Sequence, residues 1–124
     1  MSILVVDDDD AIRLVISTLL TEEGYLVTEA VNGQAALTQL HSSTPLPCVI
    51  LLDLMMPVLS GWEFLRIRQT DPVVQRIPVV AISASRGIAD SVATLNVQEA
   101  LAKPIDLDRL LATIQLYCPS TPPP

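Results

Sequence analysis

The sequence predicts an α/β fold in which a parallel sheet is covered by helices on both faces. Three observations carry this. Short, wholly apolar, branched runs recur along the chain. Helical apolar patterns fall between them. Three of those runs also stop on an aspartate or a serine. Strands that alternate with helices build a parallel sheet, because each crossover returns the chain to the same edge.

The first run, Ile3 to Val6, has no polar face and so suits a strand buried on both sides. Ile12, Val15, Ile16, Leu19 and Leu20 follow at helical spacing, with Asp9 or Asp10 as the cap and Gly24 as the stop. Residues 25–30, "YLVTEA", are a second strand. "NGQAALTQLHS" gives a short helix with Ala36, Leu37 and Leu40 on one side. "PCVILLD", 47–53, is a third strand, apolar until Asp53. A loop with Pro57 and Gly61 leads to a helix from about Trp62 to Gln69. "IPVVAIS", 77–83, is a fourth strand, and Ile88, Val92 and Leu95 suggest a helix after it. "EALA", 99–102, is a short fifth strand. Leu107, Leu110, Leu111 and Ile114 line a last helix capped by Asp106, and this stripe reads as core.

Composition narrows the function. A chain of 124 residues, half of them apolar, suits one domain with one core. The aromatics are Tyr25, Trp62, Phe64 and Tyr117 alone, so the core is aliphatic. A formal net charge of -7 argues against nucleic acid as a direct partner, since phosphate backbones are held by Lys and Arg. Cys48 and Cys118 form no CxxC and read as small buried side chains rather than a metal site or a disulfide framework. There is no signal-like segment and no membrane-spanning run, so a cytoplasmic protein without a membrane partner is expected. His41, the sole histidine, reads as a surface residue, and Trp62 as helix packing.

In an open parallel sheet, ligands bind beyond the carboxyl ends of the strands. The predicted first strand ends in Asp7 and Asp8, the third in Asp53, the fourth in Ser83 and the fifth in Lys103, followed by Pro104. Two carboxylates about 4 Å apart repel by roughly 4 kcal/mol at an effective dielectric of about 20. A hard divalent cation relieves that repulsion, and Mg²⁺ favours all-oxygen ligands with retained waters. Three acids, one Mg²⁺ and the Lys103 ammonium balance in formal charge. Such a site can accept a phosphoryl group, with Asp53 as the carboxylate nucleophile and with Ser83 and Lys103 on the phosphoryl oxygens. Asp9 and Asp10 read as cap and solvated turn.

On "ILVVDDD", "VILLDLMMPVLSG", "VVAISA" and "ALAKPI", in that order, residues 1 to about 117 resemble a response-regulator receiver domain of two-component signalling, of the chemotaxis-regulator type. The resemblance implies a flavodoxin-like (βα)5 sandwich with strand order 2-1-3-4-5. The receiver would span 1–118, and "PSTPPP" at 119–124 reads from its composition as a Pro-rich tail or linker stub. The resemblance also implies Asp53 as phosphoacceptor, Ser83 as switch hydroxyl and Lys103 as phosphate contact, with a cis bond to Pro104. Asp8 would be a direct Mg²⁺ ligand, Asp7 would act through water, and the Met55 carbonyl would be a further ligand. The phosphodonor would be a phosphohistidine on a sensor histidine kinase or phosphotransfer protein. Output would go to a downstream protein or to a second copy of the chain. The chain would not be an enzyme beyond self-catalysed phosphoryl uptake and slow hydrolysis.

Departures from the family pattern cluster late in the chain. Ala100 stands where receivers usually carry Tyr or Phe, and Asn96-Val97 replaces the usual Gly-Ala. The stretch from Ser83 to Lys103 is about two residues shorter than the family norm.

Three rival functions are weaker. An aspartate-nucleophile phosphatase would place its nucleophile in the first DxD and needs room for a cap. A flavin carrier needs a hydroxyl- and glycine-rich phosphate loop, whereas "DDDDAIR" repels phosphate. A phosphorylation-independent, pseudo-receiver interaction module typically loses an acid or the lysine, and none is lost here.

Overall fold

Residues 3–6 alternate between two cores, and that alternation fixes the architecture. Leu4 and Val6 pack into one apolar cluster and Ile3 and Val5 into the other, so β1 (Ser2–Val6) is covered on both faces. The structure is a computed structural model, and it describes residues 2–42, 46–54, 60–83, 99–102 and 105–119. Around β1 stand β2 (Leu26–Ala30), β3 (Val49–Asp53), β4 (Val79–Ser83) and β5 (Glu99–Ala102). Every pairing is parallel and the order is β2-β1-β3-β4-β5, as the resemblance implies.

The helices sort by face. Ile16 and Leu20 of α1 (Asp10–Glu22) join Leu110, Ile114 and Cys118, from α4 (Leu107–Tyr117) and its cap, over Ile3, Val5 and Leu51. Ala36, Leu37 and Leu40 of α2 (Gly33–Ser42) join Phe64 and Leu65 of α3 (Gly61–Thr70) over Leu4, Val6 and Leu52. Trp62 is partly buried against this second cluster, as expected. No helix among the described residues is long and apolar enough to cross a membrane.

Local chemistry sets the boundaries. Asp9 caps α1 by accepting from the N–H groups of Ala11 and Ile12, and Asp106 caps α4 through those of Asp108 and Arg109. Gly24, at φ 94, turns the chain out of α1 in a conformation that favours glycine. Ser60 and Glu63 form a reciprocal capping box that starts α3. A short 3-10 turn, Val74–Arg76, precedes β4.

Three expectations are corrected, the first at Leu107, which belongs to the predicted core stripe of the last helix but is 39% exposed at its first turn. Val15 is 52% exposed: of the five predicted positions Ile16 and Leu20 are buried and Ile12 packs partly buried beside them, while Ser17 takes a buried place on the helix. Cys48 and Cys118 are not separate thiols but a disulfide, with their Cα atoms 5.7 Å apart across 70 residues of sequence. The fold itself joins them: β3 begins one residue after Cys48, and Cys118 closes the helix that ends beside that strand's start. The helix expected around Ile88, Val92 and Leu95, and the Asn96-Val97 pair, lie outside the described residues.

Candidate functional site

The sheet order reverses between β1 and β3, and their carboxyl ends therefore flank a crevice. β3 is buried along its full length, and it carries Asp53 to the sheet edge with only 3% of the residue exposed. Asp7 follows β1 directly and is 1% exposed, whereas Asp8 faces solvent. One carboxylate oxygen from each of Asp7, Asp8 and Asp53 lies within 4.8 Å of the other two. The donor set is all oxygen and anionic, with one open side at Asp8. That chemistry fits a hard divalent cation such as Mg²⁺ and does not fit a soft-metal site.

The acidic turn is held in place by specific bonds. The Asp7 N–H donates to the Ala30 carbonyl of β2 at 3.1 Å. The Asp9 N–H donates to Asp7 Oδ1 at 2.8 Å. Arg13 reaches back from the first turns of α1 to three acceptors. It donates through Nη1 to the Asp7 carbonyl at 2.8 Å and through Nε to Glu29 Oε1 at 2.9 Å, and it pairs with Asp10. The hydrogen bond to Asp10 and its charge, with those of Glu29, outweigh burial and raise the Arg13 pKa above its ordinary value. Arg13 is thus a fixed countercharge beside the acids.

The chain beyond Asp53 is set by a close approach. Gly61 N–H donates to the Leu54 carbonyl at 3.2 Å. A Cβ at Gly61 would stand 2.5 Å from the Asp53 carbonyl oxygen and 2.5 Å from Leu54 Cα. Only glycine lets α3 begin this near the end of β3.

Ser83 ends β4 and pairs in register with Ala102, while Asp53 pairs with Ile82, so their backbones stand at the same sheet edge. Met55 and Lys103 lie outside the described residues. Ala100 pairs with Ala81 and packs, partly buried, against the α2–α3 side of the core.

The profile of the response regulator receiver domain matches residues 3–115. The chain belongs to the receiver-domain family. It is 36% identical over 126 residues to an uncharacterized 14.6 kDa protein of Leptolyngbya boryana, covering 99% of this chain and 94% of that relative. It is 39% identical to the response regulator PleD of Caulobacter vibrioides across 91% of this chain, but that match spans 25% of PleD. Among solved structures, the Vibrio cholerae chemotaxis protein CheY4 superposes with a TM-score of 0.83 at 28% identity, covering 94% of this chain and 97% of that one. The receiver domain of the Pseudomonas aeruginosa sensor histidine kinase PA1611 superposes at 0.84 with 27% identity, covering 96% and 98%, and that structure has a magnesium ion coordinated in its active-site cleft. Two-component phosphorelay signalling is therefore the setting of this receiver.

Sequence reasoning did not find Arg13 or the cysteine pair. Arg13 carries a weak signal, three residues after Asp10 on a helix, but its bond to the Asp7 carbonyl depends on the turn between them. The cysteines carry none, because only the sheet order makes them neighbours.

Proposed function

We propose that this receiver accepts a phosphoryl group on Asp53 with Mg²⁺ and thereby switches a surface that binds another protein. The observation that carries the reading is the mutual approach of Asp7, Asp8 and Asp53 at the crevice between β1 and β3. The PA1611 receiver, with magnesium in its cleft, supports the choice of metal.

In this reading an Asp53 carboxylate oxygen attacks the phosphorus of a phosphohistidine. An O–P bond forms, the P–N bond breaks, and the imidazole leaves with the electron pair. Bound Mg²⁺ supplies positive charge against the phosphoryl oxygens. Asp8 and Asp53 would hold the metal directly and Asp7 through water, and the resemblance adds the Met55 carbonyl as a further ligand. Lys103 contacts the phosphoryl oxygens and Ser83 donates to one of them. The product carries about one more negative charge than the carboxylate it replaces. That surplus draws Ser83 and Lys103 inward, and the stretch 84–102 shifts with them. The phosphodonor is a sensor histidine kinase or phosphotransfer protein. Output is to a downstream protein or to a second copy.

Trp62 follows Gly61 and so reports on the end of β3. Mg²⁺ with beryllofluoride, a phosphoryl mimic, should change its fluorescence and slow hydrogen exchange in 84–102. Neither reagent alone should do both, and Asp53→Asn should abolish the combined response. A response that survives in Asp53→Asn, or none in the native chain, would favour an interaction module that works without phosphorylation.

A further inference from the structure

The cysteine pair lies at the opposite end of the sheet from the acids. Cys48 precedes β3 and Asp53 ends it, so a five-residue strand, roughly 17 Å long, separates the two places. The pair is therefore independent of the phosphoacceptor chemistry.

Its surroundings are asymmetric. Cys118 is 0% exposed and closes α4. Cys48 is only half-buried. Their backbones are also anchored without the sulfur link. The Cys118 N–H donates to the Ile114 carbonyl at 2.7 Å, and the Cys118 carbonyl accepts from the buried Tyr25 hydroxyl at 2.6 Å. The Cys48 N–H donates to the Ser2 carbonyl at 2.9 Å. None of these bonds involves a sulfur atom, so both redox forms can keep the fold and differ locally.

We propose that Cys48 and Cys118 are a reversible redox site, in which Cys48 reacts with a small-molecule disulfide and Cys118 resolves the product. The exposed position takes the reagent because thiol–disulfide exchange needs access to the attacking sulfur. The Cys48 thiolate attacks one sulfur of the reagent. A mixed disulfide forms and one thiolate leaves. The Cys118 thiolate then attacks the Cys48 sulfur, the internal disulfide forms and the second thiolate leaves. The protein loses two hydrogens, and the reagent is reduced to two thiols. Oxidation ties the end of α4 to the start of β3, and so fixes the point where the chain passes Pro119. Reduction frees the last turn of α4 to open.

The test uses the whole chain, reduced and then exposed to glutathione disulfide, alkylated and weighed intact. The native protein should lose both alkylatable thiols. Cys118→Ser should stop at one glutathione on Cys48, and Cys48→Ser should stay unmodified over the same time. Hydrogen exchange across 114–118 should be slower in the oxidised native protein than in the reduced one. Two thiols that remain alkylatable in the native protein would overturn the proposal. Glutathione on Cys48→Ser as fast as on Cys118→Ser would overturn the assigned roles. Equal exchange in the two native forms would overturn the local switch, and that comparison does not depend on either variant folding.

Discussion

At the scale of single residues, Arg13 and Gly61 determine how firmly the acids are placed. Arg13 is 13% exposed in its side chain and grips the Asp7 carbonyl, Asp10 and Glu29 together. Removing it deletes a positive charge, which would favour a cation, and also loosens the turn that presents Asp7 and Asp8. Outer groups that orient metal ligands typically contribute tenfold or more in affinity. Arg13→Ala should therefore weaken Mg²⁺ binding about tenfold, read by calorimetric titration. Tighter binding would mean that the charge term wins over ordering. Gly61→Ala places a methyl against backbone that a flexible side chain cannot vacate. It should destabilise the fold by about 1–3 kcal/mol in urea unfolding and displace Asp53, so Mg²⁺ binding should fall as well.

Another residue couples stability to pH. Asp71 accepts from the N–H groups of Val73 and Val74 and pairs with His41 across 2.7 Å, joining α2 to the turn before β4. Burial pushes its carboxyl up, but the two backbone bonds and His41 outweigh this and hold it below the ordinary value of 3.8. Its contribution is thus fully present above that value. It is lost as pH falls through the lowered one, because the unfolded chain takes up the proton first. Asp71→Asn should lower stability at neutral pH and flatten the acid arm of the stability curve below about pH 4.

At the scale of elements, boundaries were legible wherever a residue type has one local use. Asp9, Gly24 and Asp106 fill the capping and turn roles that their positions suggest. The Ser60–Glu63 box carries the usual four-residue signature and is legible by the same rule. Ser60→Ala should cost about 1 kcal/mol, measured by thermal unfolding. Burial was less legible. Arg68 lies on a charged-looking helix, yet it is 3% exposed and donates from Nη2 to the Ile77 carbonyl at 2.9 Å. Val15 is apolar and faces water, while Ser17 is buried. Periodicity says that a helix has an apolar side, but the neighbouring helix decides where that side centres.

At the scale of the whole molecule, the sheet makes the site. The acids are 46 positions apart in the chain (53 − 7) and become neighbours because β1 and β3 pair from Ile3 with Val49 to Val6 with Leu52. That the acids share the carboxyl edge follows from apolar runs ending in aspartates, once strands alternate with helices, whereas the pairing of β1 with β3 is what the resemblance to receiver domains implies. The same topology brings Cys48 to Cys118, and there the residues carry no signal of their own. A closed loop of this length should stabilise the oxidised form by up to about 4 kcal/mol in the chain-entropy account. Comparing denaturant unfolding with and without a reductant gives that difference.

In the proposed function Asp53 takes the phosphoryl group with help from a cation held by Asp7 and Asp8. The most direct measurement is intact mass, with peptide mapping, after incubation with acetyl phosphate and Mg²⁺. One phosphoryl should be added, located on Asp53, and it should be lost with EDTA and in Asp53→Asn. An adduct of the same extent in Asp53→Asn, or one indifferent to EDTA, would contradict it.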